Sequence, residues 1–175
     1  MKVGQCVENK EQNFGYRGSV ACEAAGISYR QLDYWARTEL VEPSIASATG
    51  SGSSRMYSFR DILVLKIVKR LLDTGVSLQN IRKAVEHLRG RGVADLESMT
   101  LISDGNSIYE CTTPDEIVDL LLGGQGVFGI AIGKVWHEVE GSLAHLQRED
   151  LRDGSLHGAI EGMDELAMRR KAKGA

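Results

Sequence analysis

Residues 19–37 constrain the fold more than any other stretch. Ser19-Val-Ala-Cys-Glu-Ala-Ala25 is a short alanine-rich helical run. Gly26 ends it with a tight turn, and Ser28 opens a second helix. Ser28 and Gln31 stand three apart, the spacing of a capping box in which each satisfies an amide of the other. Leu32, Trp35 and Ala36 recur at helical spacing and predict an inward face, while Tyr29, Arg30, Gln31, Tyr34 and Arg37 project from the rest. Helix, glycine turn and capped second helix make a helix-turn-helix pattern. A helix exposing Arg, Gln and Tyr in its first two turns can enter a DNA major groove. A helical hairpin inside an unrelated core has the same local pattern, so the flanking chain decides.

Leu40, Val41 and Pro43 end the second helix, since proline bars its continuation. Ser44 to Ser54 is a loop of small residues that lands on Arg55-Met-Tyr57-Ser58. It reads as a wing, a β-hairpin beside the recognition helix; a plain linker needs neither Arg55 nor Tyr57. Ser58 caps the next helix, with Asp61 in its first turn where the helix dipole favours an anion. Ile62, Leu63, Leu65, Ile67, Val68, Leu71 and Leu72 give that helix a wide apolar face, and Lys66, Lys69 and Arg70 are expected to stay in solvent. Gly75 stops it, and Ser77 caps another in which Leu78, Ile81, Val85 and Leu88 form a narrow stripe. The stripe packs either on its own chain or on a second subunit.

In this order the parts resemble the DNA-binding domain of MerR-type transcription regulators, over Gly18 to Leu88. The resemblance rests on Ala25-Gly-Ile-Ser28, Leu32-Asp-Tyr-Trp35, Leu40-Val-Glu-Pro43, Arg55-Met-Tyr-Ser58, Asp61-Ile62 and Leu72-Asp-Thr-Gly-Val-Ser-Leu78. Tyr29 to Arg37 and the Gly/Ser-rich loop look most like an actinobacterial branch that includes the cell-division regulator FtsR. The resemblance implies a homodimer on a near-palindromic promoter site, distorting the DNA for RNA polymerase, with cell-division genes as targets. It also implies base reading by Tyr29, Arg30 and Gln31, a phosphate grip by Arg55 and Tyr57, and a backbone contact by Tyr34. Arg17 and Arg37 complete the candidate DNA-binding set. Many family members carry arginine where this chain has Asp33, and aspartate cannot bind phosphate. Either Arg30 or Arg37 takes over that contact, or Asp33 orients one of them. Arg37 could instead pair with nearby Glu39, as surface ion pairs of little energetic weight do.

Charge divides along the chain. Residues 1–91 carry 14 basic and 9 acidic side chains, a net of +5, whereas residues 92–175 carry 7 and 15, a net of −8. The first half is therefore the one expected to meet a polyanion. Beyond Gly92, Met99 to Ser103 and Ser107 to Cys111 read as two strands about the turn Asp104-Gly-Asn106. Pro114 opens a helix whose core face is Ile117, Leu120 and Leu121. Val127 to Ile132 reads as a third strand and Lys134 to Leu146 as a helix.

The expected fold is mainly α: a flexible arm (1–15), a winged helix-turn-helix domain (16–91), a small α/β dimerisation or effector domain (92–149) and a tail (150–175). Gly124, Gly126 and Gly129 spell a dinucleotide fingerprint, but a helix precedes them and a strand follows, the reverse of a nucleotide site. His137, Glu138, Glu140 and His145 make a poor metal set, and the three cysteines, Cys6, Cys22 and Cys111, lack zinc spacing. No Ser/His/Asp or Cys/His constellation stands out. The expectation is thus a non-enzymatic, cytoplasmic, nucleoid-associated regulator without cofactor, metal or membrane segment, bound to double-stranded DNA. The alternatives are an architectural or excisionase-like DNA protein, or a ligand-sensing regulator acting through its C-terminal domain.

Overall fold

A computed structural model describes residues 14–47, 54–104, 107–117, 127–147 and 149–150. The elements run β1 (Phe14–Arg17), α1 (Gly18–Ala25), α2 (Tyr29–Arg37), β2 (Met56–Tyr57), α3 (Phe59–Asp73), α4 (Leu78–Arg89), α5 (Val93–Ser98), β3 (Thr100–Ser103), β4 (Ile108–Cys111), β5 (Phe128–Ala131), α6 (Ile132–Leu143) and β6 (Glu149–Asp150). Residues 114–117 are also helical. The chain is mostly helical, with a small sheet-containing C-terminal region.

Helix α3 is the hub. Its start is fixed locally: Ser58 Oγ accepts from the Asp61 amide at 3.1 Å, and Asp61 Oδ2 accepts from the Ser58 amide at 2.9 Å. The Asp61 carboxylate also accepts from Ser44, through its amide at 2.8 Å and its hydroxyl at 2.7 Å. One nearly buried acid therefore fastens the loop entry to the helix. Ile62, Leu63, Val64, Leu65, Ile67, Val68 and Leu71 are each at most 6% exposed. A helix apolar around so much of its circumference needs cover on several sides, and α1, α4 and α6 all pack on it.

That cover corrects two expectations. Lys66 and Arg70 do not stand free in solvent, because α6 lies over their side of α3. Lys66 donates to the Ala24 carbonyl at 3.0 Å and approaches Glu138 at 3.7 Å, while Arg70 pairs with Glu138 at 2.6 Å. Lys69 pairs within its own helix with Asp73. The α4 stripe is likewise used internally: Ile81, Val85 and Leu88 are buried in this chain, and only Leu78 is exposed.

Two three-stranded sheets flank the helices, ordered β2-β1-β6 and β4-β3-β5. In the first, Tyr16 and Arg17 pair antiparallel with Tyr57 and Met56, and Phe14 and Gly15 with Asp150 and Glu149. Phe14 and Gly15 are therefore strand, not the end of a flexible arm. In the second sheet, Leu101 lies between Glu110 and Ile130. The strand expected from Val127 is Phe128–Ala131, and α6 starts at Ile132, earlier than expected, where the Ile132 amide reaches the Met99 carbonyl at 3.0 Å. Helix α5 was not expected. It crowds α6 so closely that a β-carbon on Gly133 would lie 2.5 Å from the Glu97 carbonyl oxygen. The rest of the arm and tail, loop residues 48–53, the turn Gly105-Asn106, Leu120, Leu121, Gly124 and Gly126 lie outside the described residues.

One hydrophobic cluster runs from Ala21 and Trp35 through α3 and α4 to Leu101, Ile132, Trp136 and Leu143. Tyr57 belongs to it at 0% exposure, against the expectation of a phosphate-gripping aromatic. Strand β2 is paired on β1 and packed by α1 and α3, so its side chains are enclosed. The Tyr57 hydroxyl is buried without a hydrogen-bond partner among the described residues, and burial pushes its pKa up to about 12.

Three outcomes follow from this packing. Ile132→Ala should cost roughly 2–5 kcal/mol, as truncation of a buried isoleucine does. Trp35 and Trp136, one in each half, should report one coincident transition when each is read in a variant retaining it alone; separated transitions in denaturant would mean that the halves fold independently. Tyr57→Phe should stabilise the chain by about 1 kcal/mol, because it removes a buried donor with no acceptor. It should leave DNA affinity unchanged, and a weakened complex in a binding titration would show that the phenol reaches DNA.

Candidate nucleic-acid interface

Helix α2 is held by the signals that predict it. Ser28 Oγ accepts from the Gln31 amide at 3.2 Å, and Gln31 Oε1 accepts from the Ser28 amide at 2.9 Å. The box closes in both directions. Gln31 therefore commits its side-chain oxygen to the cap, which sets it apart from the other expected base readers. Gly26, at φ +72°, makes the left-handed turn from α1. Leu32 and Trp35 anchor the inner face at 1% and 2% exposure.

The outer face is open. Tyr29 is 64% exposed and Tyr34 48%, and Arg30 and Arg37 are exposed beside them. Arg55 reaches this helix from the segment just before β2. Its Nη1 lies 2.8 Å from Asp33 Oδ1, while Arg37 Nε lies 2.9 Å from Asp33 Oδ2. The hydrogen bond from Arg55, joined by the charge of Arg37, holds the Asp33 carboxyl below its usual range. Asp33 is thus ionised between two guanidinium groups, and Arg37 pairs with Asp33, four residues back. Arg17 is half-buried at the end of β1, opposite Met56 in the register. Tyr29, Arg30, Tyr34, Arg37 and Arg55 form one surface; Arg17 adjoins its supporting strand pair, and Tyr57 lies beneath.

Sequence reasoning missed how many cations of this half are already engaged. Arg60 donates to the carbonyls of Leu88, Arg89 and Arg91 at the end of α4. Arg82 donates to the Thr38 carbonyl at 2.8 Å, and Arg89 to those of Glu39 and Leu40 at 3.1 Å. These two hold the turn after α2, where Glu39 adopts a positive φ of 58° that non-glycine residues rarely take. Arg91 pairs with Glu110 at 2.7 Å. Nothing in the local pattern marks these roles, because each joins residues far apart in sequence.

The other weighed sites have separate geometries. His137 Nδ1 lies 3.1 Å from Glu140 Oε2, and the Glu140 carboxyl is held low by the Trp136 indole and then by His137. Glu138 faces the other way, toward Arg70. Among the described residues no cluster of three or more His, Cys, Asp or Glu could hold a metal ion, and no helix is long and apolar enough to cross a membrane. Gly129 is the middle of strand β5, on β3 opposite Ile102.

Comparison with known proteins agrees with the local geometry. Residues 16–88 match the model of the MerR HTH family of regulatory proteins. The chain is 64% identical over 157 residues to an HTH-type transcriptional regulator of Mycobacterium bovis, covering 90% of this chain and 69% of that protein. The same values hold for an HTH-type transcriptional regulator of Mycobacterium tuberculosis. It is 26% identical over 83 residues to the HTH-type transcriptional regulator HmrR of Sinorhizobium medicae, covering 46% of this chain and 54% of HmrR. With a capped helix that presents tyrosine and arginine outward, inside a matched segment that spans β1 to α4, the chain belongs to the MerR family of helix-turn-helix transcriptional regulators, which bind DNA.

Proposed function

We propose that this regulator works as a homodimer on a near-palindromic promoter site, with α2 in the major groove and the loop between Ala46 and Met56 as a wing along the backbone. The observation that carries the reading is the single exposed surface of Tyr29, Arg30, Tyr34 and Arg37 with Arg55 beside it. Tyr29 and Arg30, in the first turn, are the proposed base readers, as the first turn of a recognition helix is in a two-fold complex. Arg55, Arg37, Tyr34 and Arg17 are the proposed backbone contacts. The wing is supported by the antiparallel bridge of Ala46 to Met56, closed by amide–carbonyl bonds of 3.2 and 2.9 Å in the two directions.

Family membership supports promoter distortion in aid of RNA polymerase; bending or untwisting a site of this size costs on the order of several kcal/mol, offset by added contacts. Control of cell-division genes is supported by the likeness of Tyr29 to Arg37 to that actinobacterial branch. The dimer contact is proposed on the C-terminal sheet. Its outer strands β4 and β5 each have one side without a strand neighbour among the described residues, and they expose Tyr109 and Phe128 at 38% and 39%. Open sheet edges in small units are commonly covered by a partner.

Two substitutions separate the roles. Arg30→Ala should cost roughly 1–3 kcal/mol on a selected site and relax preference at one position per half-site, if it pairs with a guanine edge. Arg55→Ala should weaken all duplexes alike and flatten the salt dependence by about one unit per subunit. Site selection from random DNA by each variant checks both, and an unchanged motif for Arg30→Ala would move that residue to the backbone class. For the dimer, Phe128→Asp should yield a monomer by light scattering. It should lower affinity for the full site by roughly 10²–10⁴, because the second half-site contact ceases to be intramolecular. A dimeric Phe128→Asp protein would place the contact elsewhere.

A further inference from the structure

An acid on the DNA-facing side of a recognition helix has an obvious expected effect. It should repel phosphate and weaken binding. Asp33 is placed where that expectation can be reversed. Both of its oxygens are taken, Oδ1 by Arg55 at 2.8 Å and Oδ2 by Arg37 at 2.9 Å. The two partners come from different elements: Arg37 from the last turn of α2, and Arg55 from the chain entering β2, twenty-two residues beyond Asp33. Asp33 is thus the polar tie between the recognition helix and the segment that leads out of the loop. Its side chain is 33% exposed, Arg55 is 19% exposed and Arg37 67%. The inner arginine is therefore held by the carboxylate while the outer one reaches solvent.

We infer that Asp33 is a positioning residue, whose carboxylate raises DNA affinity by fixing Arg37 and Arg55 side by side in the orientation that meets one stretch of phosphate backbone. The cost it removes is entropic. Arginine is among the side chains that lose most rotamer freedom when immobilised, and a side chain already fixed loses less on binding. The guanidinium fork suits the task, because one edge can hold a carboxylate while other N–H groups point elsewhere. The opposing effect is small. A solvent-facing charge acts on phosphates through high dielectric and screening salt. Asp33 also couples the elements, so that the spacing between helix and wing is the same before and after DNA arrives. This inference rests on the proposed backbone role of Arg55 and Arg37 and adds the sign of the Asp33 contribution.

The test uses the full chain and two DNA probes: a duplex selected from random sequence by the wild type, and a scrambled duplex of equal length. Each is titrated with wild type, Asp33→Ala, Asp33→Asn, Arg55→Ala and the double variant Asp33→Ala/Arg55→Ala, over a series of salt concentrations. Removing Asp33 adds one positive charge per subunit. If the acid only repels phosphate, both Asp33 variants bind every duplex more tightly and their salt dependence steepens by about one unit per subunit. If it positions the arginines, Asp33→Ala binds the selected duplex about tenfold more weakly per half-site despite the added charge. In the Arg55→Ala background the same change should then cost clearly less, because only Arg37 is left for the carboxylate to fix, and this coupling marks a shared role rather than two separate ones. Thermal unfolding of each variant, followed by circular dichroism, separates loss of the fold from loss of positioning, since a globally destabilised chain would lose affinity equally in both backgrounds. Tighter binding by Asp33→Ala, or an equal loss in both backgrounds, overturns the inference. If Arg55→Ala itself binds as the wild type does, the proposed backbone role of Arg55 fails first, and the inference falls with it.

Discussion

The burial of α3 is the constraint on which the remaining structure depends. Ile62, Leu63, Val64, Leu65, Ile67, Val68 and Leu71 leave no broad polar side to this helix. Water is excluded only if neighbours close around it. Helix α1 comes from the helix-turn-helix, α4 from the next hairpin and α6 from the C-terminal region. The helix on which the helix-turn-helix packs is therefore completed by residues more than sixty positions further along the chain.

The same economy governs the strands. Strand β1 is central in its sheet, between β2 and β6. It leads directly into α1, while β2 is flanked by Arg55 and by the cap residue of α3. Asp61 then joins the α3 cap to Ser44 at the far end of the loop. A short β-ladder and one carboxylate thus set where the loop leaves the body and where it returns. Two-residue strands have little stability alone. Here they persist because Met56 and Tyr57 are enclosed by helices.

How much of this was legible in the sequence depended on how far apart the partners stand. The return bond at Asp61, expected only as a first-turn anion, was not foreseen, but the capping box of Ser28 with Gln31 and the cap at Ser58 close over three residues and were readable as spacing. So were the left-handed turns at Gly26 and Gly75 and the Ser77 cap. The exposed tyrosines and arginines of α2 followed from the 3.6-residue period. The Asp33 link to Arg55 spans twenty-two residues and had no local mark; the nearer Arg37 was only one alternative. Tyr57 was misread because a tyrosine beside an arginine after a polar loop looks exposed, whereas tertiary packing determines which way a two-residue strand faces. Lys66 and Arg70 were misread because a charged stripe on a helix looks solvated until another helix brings an acid such as Glu138 to it. Phe14 and Gly15 lack strand periodicity of their own and acquire it from β1's two neighbours.

The division of labour among the cations has a consequence for solution behaviour. Arg60, Lys66, Arg82 and Arg89 spend their N–H groups on backbone carbonyls of α4, α1 and the turn after α2. These are contacts of a charge with a dipole at hydrogen-bond range, and they release no condensed counterions when they form. Binding to a polyanion does release them, and added electrolyte opposes it steeply. Under the proposed binding mode, rising ionic strength therefore acts on the exposed arginines of α2 and spares these carbonyl-bound cations: it would detach the regulator from its site while the folded body stays intact, so the two events lie far apart on the same salt axis.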